Sequence, residues 1–463
     1  MMMVRNTFQP LYKHRLLVYL ALTLAWVQQA RTQSVQSLLA HNYEEVISSL
    51  YLDKPYVIFE TFGFDINLNN FYDHLTIHEN VSSSLFPGGV SGGLKLVKGD
   101  SDQPHSFIVL VRALSSSEDA LDFISISNDT YSVYLDSRTP SLGSSDPSDG
   151  PLIAIDIVIF VKTHVMQFGH TNIFTTNLDI DIWQDLDYET YHMNLSTIHG
   201  SITGIESLYF TAHEISISSE HGSILGNWSL PSRISFTTTN GDIDINLIPK
   251  RWSSGPWTRA DLSAVANSGD IAIRMPFEKD KLSLSNGTTR IKACNGSING
   301  TFVHGAVTSL MASNSITATL LPQWAFSTWG GRIDHNFITT EARHGNTEVE
   351  VLSPVINQYY KINPLFLAVS KHTQRSRPPP SSTKPHMKVT YPGEWGGTAV
   401  GHAGVGVLVD ISGEDYEEIE RNRTMLKVQR RPLGSELWFE ADTGTAELHL
   451  NPCFSPACAF QPK

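Results

Sequence analysis

A short phrase returns along this chain: a small or polar residue, glycine, serine or aspartate, then isoleucine. It reads His199-Gly200-Ser201-Ile202, His221-Gly222-Ser223-Ile224, Asn240-Gly241-Asp242-Ile243, Ser268-Gly269-Asp270-Ile271 and Asn295-Gly296-Ser297-Ile298. The glycines fall 22, 19, 28 and 27 residues apart. Recurrence at about 20 to 50 residues marks stacked repeats, whose units bury their apolar face only against one another.

Each glycine is followed by strict alternation, as in Asp242-Ile243-Asp244-Ile245-Asn246-Leu247 and Asp270-Ile271-Ala272-Ile273-Arg274-Met275. Period-two alternation puts isoleucine on one face and polar residues on the other. Glycine at Gly200, Gly222, Gly241, Gly269 and Gly296 is expected to permit a positive φ at the bend, with the adjacent Asn, Ser or Asp bonding the turn. A second strand precedes each bend, as in Ile234-Ser235-Phe236-Thr237-Thr238 and Leu282-Ser283-Leu284. Coils stacked about 4.8 Å apart would bury the isoleucines in ladders. The fold class is therefore all-β and β-solenoid-like, with a large β-sandwich as the alternative. Degenerate coils follow: Asn314-Ser315-Ile316 has lost its glycine, whereas Gly330-Gly331-Arg332-Ile333 and His344-Gly345-Asn346-Thr347 keep partial versions.

Around this repeat the chain divides as follows. Residues 1–30 read as a secretory signal, with basic Arg5, Lys13 and Arg15 ahead of the apolar run Leu16 to Val27. That run is shorter than the roughly 20 residues a membrane span needs. Gln28, in place of a small residue before the cut, leaves an uncleaved signal anchor as the alternative, and the membrane is expected only through this segment. Residues 31–52 form a lead-in helix, with Val35, Leu38, Leu39, Val46, Ile47 and Leu50 at helical spacing. Residues 53–167 are strand-rich, interrupted by a Ser/Pro/Asp/Gly loop at 138–151; residues 168–371 carry the repeat. Residues 372–388, with Pro378 to Pro380, read as a disordered proline-rich insertion. Residues 389–463 hold the last coils and a tail whose end, Gln461-Pro462-Lys463, lacks the apolar stretch of a glycolipid anchor.

Asn-x-Ser/Thr sequons at Asn80, Asn128, Asn194, Asn227, Asn286, Asn295, Asn299 and Asn422 agree with an extracellular or cell-surface location. Cys453 and Cys458 are placed to close a small disulfide loop, whereas Cys294, beside a glycine turn, reads as a buried hydrophobe. The formal charge is −13, and loss of residues 1–30 would leave 30 basic against 46 acidic side chains, or −16. Nucleic acid is excluded as a partner on that balance.

Turns such as Asn240-Gly241-Asp242-Ile243, the segment Thr175-Thr176-Asn177-Leu178-Asp179-Ile180 and the late segment Val389-Thr390-Tyr391-Pro392-Gly393-Glu394-Trp395-Gly396-Gly397 together resemble an adhesin-named domain family of unknown function in bacterial and fungal surface proteins. The fungal branch is the most similar, over roughly residues 90 to 450. The resemblance implies a β-solenoid-like extracellular domain and brings no catalytic residues with it. Ser315 in place of a turn glycine, the Val405-Gly406-Val407 turn and the proline insertion depart from the family pattern.

Two functional classes follow. The first is an adhesin-like, non-catalytic binding or structural protein that contacts cell-wall polysaccharide or a surface glycoprotein, using aromatics among Trp252, Trp257, Trp324, Trp329 and Trp395. The second is a polysaccharide hydrolase or lyase with Asp242, Asp244 and Asp270 as its carboxylates and Arg274 as a basic neighbour. The simpler reading of those aspartates is turn support and solvent exposure. No cofactor is expected, and the histidines show no metal-ligand spacing: His199, His221 and His344 sit at the variable position before a turn glycine.

Overall fold

A computed structural model describes residues 58–452, apart from 69–72, 83–85, 87–88, 101, 117, 138–151, 163–164, 184–185, 187, 205–210, 231, 250–259, 277–286, 323–335, 354–367, 376–384, 405–407 and 431–434. The chain divides into two units, Met1–Ile58 and Phe59–Lys463. The signal segment, the lead-in helix, Asn286, Leu282-Ser283-Leu284, the 138–151 loop, Pro378 to Pro380, Gly330-Gly331, Cys453 and Cys458, and Trp252, Trp257, Trp324 and Trp329 lie outside the described residues.

The second unit is a β-solenoid of two sheets. Each coil supplies one strand to each sheet, joined by the glycine turn, as Arg233–Thr238 passes into Ile243–Pro249 and Asp261–Ala266 into Ile271–Arg274. Successive coils pair parallel in both sheets, which distinguishes the stack from an antiparallel sandwich. The strand ahead of the Gly296 turn is Thr288–Ala293, not the Leu282-Ser283-Leu284 segment. In the sheet that follows the turn, Ile180, Ile202, Ile224, Ile243, Ile271, Ile298 and Ile316 stand in register on consecutive coils. None is more than 1% exposed. Each such side chain contributes about 1.5–3 kcal/mol of burial, so this ladder outweighs any single polar contact on the surface.

The turn glycines have a different cause from the expected one. Of the five, only Gly269 has a positive φ, at 155°. A Cβ on Gly200 would lie 2.1 Å from the Leu178 carbonyl oxygen, and on Gly222 it would lie 1.9 Å from that of Gly200. The same contact is 2.1 Å for Gly241 on Gly222, 2.2 Å for Gly269 on Gly241 and 1.9 Å for Gly296 on Gly269. Backbone rests on backbone, and no side chain fits between. At Ser315 the glycine is deleted rather than replaced: three residues separate Ala312 from Ile316, where four separate Ala293 from Ile298, yet both pairs stay in register. Within the strands, Gly204, Gly300 and Gly401 leave room for the rings of Trp228, Phe302 and Phe439.

The stack departs from chain order at both ends. At one end the His74–Asn80/Val90–Lys98 coil lies between the Ser132–Ser137/Ile153–Val161 coil and the first repeat coil, and antiparallel Phe107–Ser115 and Ile124–Asn128 cover the outside. At the other, the last coil, Ser435–Ala441/Thr445–Leu450, is inserted between Ala368–Gln374/His386–Tyr391 and Gly397–Ala403/Leu408–Gly413. An antiparallel pair, Met425–Arg430 and Glu417–Arg421, then closes one sheet. Of the segment 372–388 expected to be disordered, residues 372–374 and 386–388 are strand, because they continue the two sheets.

Near this end the core turns polar. The His304 Nδ1 lies 2.8 Å from the Thr308 hydroxyl; the His372 Nδ1 lies 2.9 Å from that of Thr340, and its Nε2 3.2 Å from that of Tyr391. Burial pushes both imidazoles down to about 3, from an ordinary value of 6.5. Between those values the unfolded chain takes up protons that the fold refuses, so stability is full above 6.5 and falls as pH drops toward 3.

Two outcomes are expected. Gly241→Ala should cost about 2–3 kcal/mol in urea unfolding, and a loss below about 0.5 kcal/mol would contradict direct coil-on-coil stacking. The His304→Gln/His372→Gln protein should lose less thermal stability between pH 7 and pH 4 than the wild type; parallel Tm curves would refute the burial argument.

Candidate functional site

The carboxylates singled out by the sequence are engaged in structure. Ahead of the ladder isoleucines, with the exception of Ser297 before Ile298, the preceding residue accepts a hydrogen bond, through its side chain, from the backbone N–H of the equivalent residue one coil on. Ser201 N–H donates to Asp179 Oδ1 (2.7 Å), Ser223 N–H to Ser201 Oγ (3.3 Å) and Asp242 N–H to Ser223 Oγ (3.2 Å). Asp270 N–H donates to Asp242 Oδ1 (2.8 Å) and Ser297 N–H to Asp270 Oδ1 (2.7 Å). Beyond the shortened turn, Asn346 N–H donates to Ser315 Oγ (3.1 Å) and His386 N–H to Asn346 Oδ1 (3.0 Å). Serine, aspartate and asparagine all serve because each is a short acceptor that reaches one coil spacing. The first coil lacks a turn glycine, and there the buried Glu79 carboxylate accepts from the N–H groups of Thr176 (2.6 Å) and Asn177 (3.0 Å).

Asp244 lies on the outer face of its strand and pairs with Arg274 at 2.6 Å, so the aspartates are brought close without a free acid–base pair. Half-buried Asp181, beside Asp179, is pushed up by burial against the opposing effect of Lys95. His199 and His221 stack at 5.1 Å on consecutive turns, and Asn240 Nδ2 lies 3.0 Å from His221 Nδ1. Among the described residues no group of His, Cys, Asp and Glu is arranged to hold a metal ion. Cys294 is half-buried rather than buried. The sequon asparagines Asn80, Asn128, Asn295, Asn299 and Asn422 are exposed, whereas Asn194 and Asn227 are half-buried, and Asn227 Oδ1 accepts from Asn246 Nδ2 at 2.7 Å.

Trp395, expected among the ligand-facing aromatics, is fully buried and meets the Tyr391 ring edge-on at 5.8 Å. Among the described residues the exposed indole is Trp438, at 41%. In Ser435–Ala441, Leu437 and Phe439 point inward while Glu436, Trp438 and Glu440 point outward. The inserted coil sets Trp438 beside Lys371 on one neighbour and Val400 on the other, and sets Glu440 beside His402. The Trp438 and His402 rings are nearly parallel (3°) with centroids 6.0 Å apart. Lys371, His402, Trp438, Phe439 and Glu440 line an open depression of about 470 Å³. An apolar ring flanked by an ammonium, an imidazole and a carboxylate suits a ligand that is flat and hydroxylated. Glu440 is the single carboxylate among these lining residues, whereas glycoside hydrolysis requires a pair.

No family model matches the chain, and no curated protein matches it. Solved structures do. A "putative adhesin" from Bacteroides fragilis has 10% identity and a TM-score of 0.22, covering 70% of this chain and 98% of its own. A "putative cell adhesion protein" from Clostridium sporogenes has 8% identity and a TM-score of 0.17, covering 85% and 100%. A "Putative lipid binding protein" from Parabacteroides distasonis has 11% identity and a TM-score of 0.18, covering 64% and 92%. At these TM-scores the chains do not superpose as wholes.

If Asp242 is a rung rather than a catalyst, Asp242→Asn should leave stability within about 0.5 kcal/mol, because the amide keeps an acceptor. Asp242→Leu should cost about 1 kcal/mol. Equal losses in chemical denaturation would rule out the rung.

Proposed function

We propose that the chain is an adhesin-like, non-catalytic binding protein at the cell surface or outside the cell, and that it contacts glycan through the Trp438 depression. The observation that carries this reading is the large exposed ring of Trp438, with Lys371, His402 and Glu440 around it. A pyranose offers an apolar C–H face to the indole and hydroxyls to the three polar side chains. The rigid coils hold those side chains without a loop that must order on binding, which limits the entropic cost. Signal-like residues 1–30 and the exposed sequons support a route through the secretory pathway, and the resemblance of the turns to surface-protein domains supports the same compartment. The carboxylates of the hydrolase alternative are committed to rungs and to Arg274.

The test is a pull-down of the purified chain on a panel of insoluble cell-wall polysaccharides at neutral pH, with chromatography of the supernatant. Retention on one polymer, weakened at least tenfold by Trp438→Ala with unchanged thermal stability, is the expected result. Released oligosaccharides, or retention indifferent to Trp438→Ala, would overturn the assignment.

A further inference from the structure

At the opposite end of the Trp438-bearing sheet, the outer face carries a histidine row that continues as Glu214, Arg233 and Asp261 on later coils. His74, His170 and His192 stand in register on three adjacent coils. The His170 and His192 rings stack at 4.9 Å with 12° between their planes. One step aside, Tyr191 stacks on His213 at 4.8 Å, and His78 meets the rings of Tyr134 and Phe174 edge-on. His74 lies 5.7 Å from the Tyr131 ring. Five imidazoles thus share one face, repeating at the spacing of the coils.

The sequence gives these groups unusual leverage. Eighteen histidines exceed the surplus of 13 acidic over basic side chains. His304 and His372 are buried and stay neutral, leaving sixteen whose protonation would turn −13 into +3. Five of those sixteen stand on this one face.

We infer that this histidine stripe is a proton-gated binding surface for an acidic polysaccharide, engaged in mildly acidic surroundings and released at neutral pH. The charged groups around it set its limits. Glu214 accepts from His192 (3.1 Å) and from Arg233 (2.7 Å), so one carboxylate faces both an imidazole and a guanidinium. Asp73 precedes His74; Asp129 is bonded by the Tyr131 N–H; Asp136 ends the neighbouring strand; Glu189 and Glu220 flank the next two; and Asp261 pairs in register with Arg233. Burial, together with His192 and His74, holds His170 below the ordinary imidazole value. Beside it run neutral hydrogen-bonding rows, Asn172–Asn194–Ser216 and Ser196–Ser218, with Ser218 Oγ donating to Ser196 Oγ at 2.9 Å. Cations lined by amides and hydroxyls suit a hydroxylated polyanion better than a lipid surface, which would call for exposed apolar side chains.

The probe is immobilised polygalacturonate, its carboxylates ionised at both pH 5.0 and pH 7.5, at constant ionic strength with the full chain. Binding at least tenfold tighter at pH 5.0 is expected, and it should be lost in His74→Gln/His170→Gln/His192→Gln. His170→Lys/His192→Lys, carrying fixed charge, should bind at pH 7.5 as well, which keeps the test open even where the triple variant fails to fold. Trp438→Ala should leave this acid-dependent binding intact, which separates it from the glycan site at the other end. Equal binding at both pH values, wild-type binding by a folded triple variant, or equal capture by anionic lipid vesicles or DNA would overturn the inference.

Discussion

Everything in this fold depends on how closely one coil can approach the next at the turn. A carbonyl oxygen of one coil lies within 2.2 Å of where the Cβ of the next coil's turn residue would be, so the position accepts glycine or a deletion. Once backbones are that close, the rest follows from geometry. The isoleucine after the turn falls on its counterpart, and the short acceptor before it reaches the N–H above. Burial of the isoleucine ladder with the other apolar core side chains drives the stacking, and the rungs fix register, because a slip of one residue would turn every ladder isoleucine to solvent.

The sequence made the repeat legible because turn chemistry and alternation are both local. Glycine, acceptor and isoleucine recur in contiguous letters, and the all-β stacked architecture could be read from them. The reason for the glycine was not legible: a positive φ and a steric approach from another coil leave the same letter. The inserted last coil was invisible for a similar reason, since nothing local in Ser435–Ala441 announces that its neighbours are Ala368–Gln374 and Gly397–Ala403. The site suffered most from this. Trp395 sits among glycines and looked exposed, yet it is core. The signal for Trp438 was present in Glu436-Leu437-Trp438-Phe439-Glu440, where the indole is in phase with the two glutamates rather than with Leu437 and Phe439.

Insertion of the last coil also links fold to site. Lys371, His402 and Trp438 come from three coils whose spatial order differs from their chain order, and the middle one is the last in the chain. Until it enters, the indole is absent and Lys371 and His402 have no shared depression. The Trp438 depression is therefore complete only when the last coil is in place.

A parallel stack has no intrinsic reason to end, since each terminal coil leaves open N–H and C=O groups on which another chain can pair. In the Trp438-bearing sheet this chain reverses strand direction at both edges, whereas in the other sheet Ile58–Ile66 lies beyond antiparallel Phe107–Ser115 and Leu408–Gly413 is a parallel edge. Phe107–Ser115 and Ile124–Asn128 run antiparallel at one end, and Met425–Arg430 with Glu417–Arg421 at the other. Antiparallel edges no longer match the register of a coil. All five residues of Glu417–Arg421 are exposed, three of them glutamate, which opposes pairing with a second copy of the same acidic edge. The sequons Asn128 and Asn422 fall on these outermost elements of the same sheet, the first on its edge strand and the second at the turn of the closing hairpin. Charge and strand reversal are thus placed where the ladder would otherwise continue, and the repeat interior is free to be uniform because its ends are not.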